Sequence, residues 1–186
     1  VINFPRYGQN LYADLVTRYL EGEFGSIHTV SPYLMALAYA GDRALAKPLI
    51  ENWLSSGKVV IANRYVSASK AHLGANLAEE KREEFMEWID NLEYQTNCMP
   101  KEDLAILLDV NPKVGQDNVL HKNKPEVTDI HEESVAHLEK AAKIYLQLAN
   151  KEKNWKVVNC MENGRMRPKE NIFQDILRIF KQEWKR

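Results

Sequence analysis

A chain of 186 residues, 45% hydrophobic and 27% charged, is long enough for one domain with a full core. Its 25 basic and 26 acidic residues leave a formal charge of -1, which excludes a general nucleic-acid binder, because such a protein needs a basic excess over phosphate. No apolar run reaches the length of a membrane span, and Cys98 and Cys160, far apart and without metal-ligand spacing, are expected to be buried thiols in a reducing compartment.

Val1–Phe4 reads as the end of a strand stopped by Pro5, and Tyr7-Gly8 turns the chain. Leu11, Leu15, Val16, Tyr19 and Leu20 then recur at helical spacing before Gly22, a helix stop. Ser31-Pro32 supplies an N-cap and a first-turn proline for a helix that carries Leu34, Met35, Leu37, Ala38 and Tyr39 to about Arg43. Pro48 is expected to part it from a second helix through Ile50, Trp53 and Leu54, ending at Gly57. In Lys58–Ala62, the β-formers Val59, Val60 and Ile61 predict a strand buried on both faces. Glu79–Tyr94 is a charged amphipathic helix with Phe85, Trp88, Ile89 and Leu92 as its apolar stripe. Asp103–Asp109 and Trp155–Cys160 are further buried strands. Val110–Thr128, with Pro112, Gly115 and Pro125, is a polar loop, long for a compact domain, and so either a functional lid or disordered. Asp129–Asn150 reads as a helix, and Pro168 opens a last one carrying Ile172, Phe173, Ile176, Leu177, Phe180 and Trp184. Strands alternating with helices predict an α/β fold, a parallel sheet covered by helices on both faces.

In such a sheet ligands sit just beyond the carboxyl ends of the strands. Arg64, at the end of the Lys58–Ala62 strand, has two readings: a planar, permanently charged fork aimed at an anion such as phosphate, or a surface residue in a salt bridge. Phe4-Pro5-Arg6-Tyr7 ends the first strand, where it suits a sugar and phosphate as well as an ordinary strand-to-helix turn with a buried Phe. Tyr39 and Arg43 are four apart and share a helix face. They either stack on a planar base and donate to a carbonyl on its edge, or form a core Tyr and a solvated Arg. Ser69 and His72 either bond a base or phosphate, or serve as a helix N-cap and a surface His. His121, Lys122 and Lys124, with Asp129, His131 and Glu132 directly after them, either close over a polyphosphate or form a solvated charged segment.

The order and spacing of these motifs say more than any one of them. FPRYGQN, a helix ending YAGDR, then NRYVSASKAHLGAN, then a basic loop leading into DIHE, resemble the thymidylate kinase family along essentially the whole chain. The resemblance implies a single nucleotide-kinase domain over residues 1–186 with a three-layer P-loop NTPase-like fold and a lid at about 111–128. It implies transfer of the terminal phosphoryl of ATP to dTMP, giving dTDP, with Mg2+, in a cytoplasmic homodimer packed through helices such as Leu11–Leu20, with no nucleic-acid or membrane partner. By the same resemblance, Phe4 and Tyr7 line the deoxyribose and phosphate of dTMP, Tyr39 stacks on thymine, and Arg43 bonds its carbonyl edge. Arg64 grips the acceptor phosphate, Ser69, His72 and His131 touch base and sugar, and Lys122 and Lys124 close over ATP, so Arg64, Lys122 and Lys124 are the expected catalytic residues.

Two departures stand out. Asn63 occupies a position where the family usually has Asp, so any contact with Mg2+ is indirect, through water. No G-x-x-x-x-G-K-[ST] occurs, and Gly57-Lys58 is the only Gly-Lys pair. In the family that loop lies on a strand-loop-helix unit before FPRY, so Val1 is expected to begin just after it. The sheet would then lack a central strand, leave two strand edges unpaired, and fold poorly in this form. Two alternatives are a non-catalytic nucleotide-binding protein of the same fold and a related kinase with a different acceptor.

Overall fold

The computed structural model describes residues 1–27, 29–122 and 135–184, with 118–122 by backbone alone. Strand β1 (Ile2–Asn3) leads into helix α1 (Leu11–Leu20), which is capped by Asn10, whose side chain accepts from the backbone N–H of Tyr12 and Ala13. Gly22, at φ 79°, ends α1 in the left-handed conformation that glycine adopts without strain. Helix α2 (Pro32–Ser55) runs unbroken through Pro48. The break expected there is absent. Pro48 withholds only its own N–H, and Ala46 and Ile50 on either side of it are buried, so packing carries the helix across the lost bond.

Strand β2 (Ala62–Asn63) pairs in parallel with β1, Ile2 opposite Ala62 and Asn3 opposite Asn63. The expected buried strand at 58–62 is corrected: Val59 and Ile61 are 44% and 61% exposed, and the ladder spans two residues. Helix α3 (Val66–Gly74) follows, then a 3-10 turn, helix α4 (Arg82–Asp90), and a π turn at Asn91–Thr96 that finishes what the apolar stripe predicted as one helix.

Strand β3 (Ala105–Asp109) is followed by helix α5 (Pro112–Lys122), where a loop was expected. The reason is local: the Asn111 side chain accepts from the Lys113 N–H, with Pro112 at the first helical position. Helix α6 (Val135–Lys151) precedes β4 (Trp155–Asn159), which pairs with β3 in parallel from Ala105–Trp155 to Asp109–Asn159. An antiparallel hairpin of β5 (Met161–Glu162) and β6 (Arg165–Met166) then turns at Asn163-Gly164, both at positive φ, before helix α7 (Lys169–Glu183).

Among the described residues no ladder joins the β1–β2 pair to the β3–β4 pair. Helix α3 packs on α2, α4 and α6, while α6 and α7 cover β4. The largest buried cluster joins Ile2 and Phe4 to Val16, Tyr19, Met35, Leu73, Phe85 and Ile89. Smaller clusters join α3 to α6 around Ala71 and Ile144, and β4 to α7 around Val158 and Ile172. Both cysteines are free thiols: Cys160 is buried as expected, but Cys98, on a left-handed residue at φ 50°, is exposed.

Candidate active site

The carboxyl ends of β1 and β2 open into one cleft. Phe4, Pro5 and Tyr7 form one wall, Tyr39 and Arg43 come from α2, Arg64 from the end of β2, and Ser69 and His72 from α3. Residues read as separate motifs over nearly 70 positions are thus neighbours, while Asn63 lies exposed at the strand end, its carbonyl accepting from the Phe4 N–H at 3.0 Å. The enclosed part of the cleft is narrow, about 20 Å3.

The two cleft arginines differ in their electrostatics. Arg64 is exposed, forms no ion pair with any described carboxylate, and sits at φ 58°, a left-handed conformation in which a Cβ costs roughly 1–2 kcal/mol. Strain of this kind gathers at functional sites. Arg43 is not the solvated residue of its bland reading: it is 1% exposed. Its Nε and Nη2 donate to Glu93 Oε1 at 2.8 and 2.5 Å, and Nη2 also donates to Ser69 Oγ at 2.7 Å. Ser69 is therefore inside α3, holding an arginine, and is not an N-cap.

A second tie fixes the opposite wall. Buried Asp42 accepts from the Arg6 backbone N–H and Nε, both at 2.9 Å, and from Asn10 Nδ2 at 2.7 Å, while Arg6 Nη2 donates to the Asp42 carbonyl at 2.8 Å. Arg6 thus anchors the β1–α1 turn to α2 instead of facing a ligand. Adjacent residues of one helix, Asp42 and Arg43, hold both sides of the cleft. Neither Asp42 nor Glu93 was marked by sequence. A signal was there, since Met35, Ala38 and Asp42, like Phe85, Ile89 and Glu93, fall at helical spacing on buried faces.

His72 stacks on His137 with ring centroids 5.9 Å apart and meets Tyr145 edge-on at 5.9 Å. Burial pushes the Tyr145 phenol up to about 12, against a smaller downward pull from Arg64. Burial, then the Glu102 carboxylate, likewise raises Tyr65 and Tyr94, whose hydroxyls donate to the Pro100 carbonyl and Glu102 Oε2. All three shifts have one sign. The folded chain keeps phenolic protons that the unfolded chain releases near about pH 10, so their stabilisation is complete below that pH. Stability should fall as pH rises from 10 through about 12. Parallel tyrosinate absorbance and circular dichroism titrations check this, and ionisation of all eight tyrosines near pH 10 with the fold intact would contradict it.

A larger cavity, about 320 Å3, lies beside Lys70, Asp90, Tyr94 and Glu102. Of its lining groups, Lys70 Nζ pairs with Asp90 Oδ1 at 2.5 Å, Tyr94 donates to Glu102, and Lys101 Nζ lies 5.2 Å over the Tyr94 ring. Three carboxylates, Asp90, Glu102 and Glu152, disfavour an anion there, so the smaller cleft with Arg64 is the better candidate anion site. Among the described residues no three His, Cys, Asp or Glu side chains form a metal cage, and the β2 end offers only the amide of Asn63. These residues do not fit a resident Mg2+, which is usually held by one or two carboxylates together with substrate phosphates. Lys122 lies at the end of α5, its side chain outside the described residues; Lys124, Asp129, His131 and Glu132 also lie outside them.

Fold and cleft together define an α/β protein with a cleft past its parallel β1–β2 strands, lined by an exposed arginine and aromatic side chains. The family model for thymidylate kinase matches residues 2–172. Thymidylate kinase from Mycobacterium tuberculosis is 30% identical over 149 residues, spanning 78% of this chain and 69% of that protein. A probable thymidylate kinase from Pyrobaculum aerophilum is 34% identical over 125 residues, 67% of this chain and 58% of that protein. The solved structure of thymidylate kinase from Candida albicans superposes with a TM-score of 0.66 at 20% identity, covering 98% of this chain and 80% of that one. The chain belongs to the thymidylate kinase family, phosphotransferases that phosphorylate dTMP with ATP as donor.

Proposed function

We propose that the cleft is the dTMP site of this kinase, with the phosphate on Arg64 and the base toward Tyr39 and Arg43. The observation that carries this is Arg64 itself, an uncompensated cation among the described residues, held in a left-handed conformation at a strand end beside aromatic walls. Phe4 and Tyr7 flank the sugar, Tyr39 stacks on thymine, Arg43 donates to its carbonyl edge, and Ser69, His72 and His131 complete the contacts. Phosphoryl transfer asks for little covalent chemistry from the protein: catalysis is in-line positioning and neutralisation of charge on the transferred group. Arg64 orients the attacking phosphate oxygen, and Lys122 and Lys124, on a lid at about 111–128, neutralise the donor side. Were Mg2+ to accompany the nucleotide phosphates, Asn63 would hold it only through water, and the metal would supply neutralisation of phosphate charge.

The test is ADP release with dTMP against dUMP, dCMP, AMP and GMP. Preference for dTMP is expected, and equal rates for all five would remove the thymine assignment. Asn63 keeps a second reading in view, a nucleotide-binding protein without turnover, which would bind dTMP and release no ADP.

A homodimer in the cytoplasm completes the proposal. Leu11 on α1 is 81% exposed, and Leu34, Leu37, Leu45 and Leu49 form an exposed apolar stripe at helical spacing along α2. Monomeric sedimentation at micromolar concentration would remove the dimer. Among the described residues no helix is long and apolar enough to cross a membrane.

A further inference from the structure

We infer that Glu93 is a positioning residue for base selection, acting through Arg43; the inference rests on the cleft being the dTMP site. A carboxylate in this place is costly. Glu93 is 0% exposed, and its Oε2 is buried without a hydrogen-bond partner, so only Oε1 is used. It also sits on a π turn, a rare distortion that recurs at functional sites. What the carboxylate secures is the aim and the charge of one cleft group. By taking Arg43 Nε and Nη2 side-on, it fixes the plane of the guanidinium, and Ser69 Oγ holds the same Nη2 from α3. By cancelling the charge, it leaves that end of the cleft able to donate hydrogen bonds to a neutral carbonyl without drawing a phosphate. Among the described cleft residues, Arg64 remains the uncompensated cation. A nucleoside monophosphate therefore has one favoured direction, phosphate to Arg64 and base to Arg43. A donor fork at the base edge favours a carbonyl, as in thymine, over the amino group that cytosine presents at the same place.

Calorimetric titration of the purified protein and of Glu93→Gln and Glu93→Asp tests this, with dTMP, dCMP and inorganic phosphate as separate ligands. In Glu93→Gln, preference for dTMP over dCMP should fall roughly tenfold, and inorganic phosphate should bind at least about threefold tighter, because a second cation becomes available. General structural damage weakens all three ligands together and never tightens phosphate. Glu93→Asp keeps the buried charge pair, and so the fold, but withdraws the carboxylate by one methylene. It should lose part of the preference with phosphate binding unchanged, and it decides the matter if Glu93→Gln does not fold. Unchanged dTMP preference in the variants, or parallel weakening of every ligand, overturns the inference. Failure of the unsubstituted protein to prefer dTMP overturns the underlying site assignment instead, and is visible before any variant is made.

Discussion

Arg64→Gly is expected to weaken dTMP binding by about two orders of magnitude, leave thymidine binding nearly unchanged, and leave the melting temperature level or slightly higher. The first effect follows from losing a charge-assisted, bidentate grip on phosphate; a hundredfold loss is about 2.7 kcal/mol, within reach of two such bonds. Thymidine has no phosphate, so it reports only base and sugar contacts. The stability effect follows from the backbone. Arg64 is at φ 58°, exposed, and pairs with no described carboxylate, so glycine removes strain and breaks no ion pair. The relief, roughly 1 kcal/mol, is offset in part by the greater freedom of glycine in the unfolded chain. A residue kept against its own backbone preference, at a site where it binds, is the usual exchange of stability for function. Thermal melts and parallel titrations decide it. A clear drop in melting temperature with equal loss of dTMP and thymidine binding would instead mark Arg64 as a structural salt-bridge residue.

Glu93→Leu should destabilise the fold by about 3–5 kcal/mol, a large part of the roughly 5–15 kcal/mol a domain of this size holds. The substitution strands the Arg43 guanidinium, 1% exposed, with Ser69 as its remaining described partner. Removing both charges, Arg43→Met with Glu93→Leu, should recover most of that loss, because two apolar side chains of similar volume need no desolvation. Urea melts of the single and double variants measure this. A single variant within about 1 kcal/mol of the unsubstituted protein would mean that water reaches the pair and shares its charge. Recovery in the double variant would show that the ion pair is not retained for stability, which agrees with the base-positioning role proposed for it.

What could be read from the sequence was what depends on neighbours in the chain. Ser31-Pro32 and Gly22 marked helix ends because end signals act over three or four residues, although the Ser31 side chain makes no cap bond, and the capping Asn10 went unread. The residues Phe4, Tyr7, Tyr39, Arg43, Arg64, Ser69 and His72 were legible as an ordered set, and the fold brings them to one cleft. Their partners were not, because Arg43 meets Glu93 across 50 positions and Arg6 meets Asp42 across 36. Other failures were local signals read wrongly. Asn111-Pro112 is a helix start that Gly115 disguised, Asn163-Gly164 announces a hairpin that went unread, and Pro48 looked like a break because its buried neighbours could not be weighed. The apolar Val59 and Ile61 promised a strand buried on both faces. In the structure β2 has one described ladder partner, so those side chains remain in solvent.

The narrowness of the cleft has a kinetic consequence. A nucleotide needs far more room than the roughly 20 Å3 enclosed between Phe4, Tyr39 and His72. The Phe4–Tyr7 turn is tied to α2 by four bonds from Arg6 and Asn10 to Asp42, so widening the cleft on this side requires that tie to open. If dTMP enters here, its observed association rate is expected to level off at the frequency with which the gating Arg6–Asp42 tie opens. Stopped-flow traces that stay linear in dTMP to the highest concentrations would show that the gate is already open.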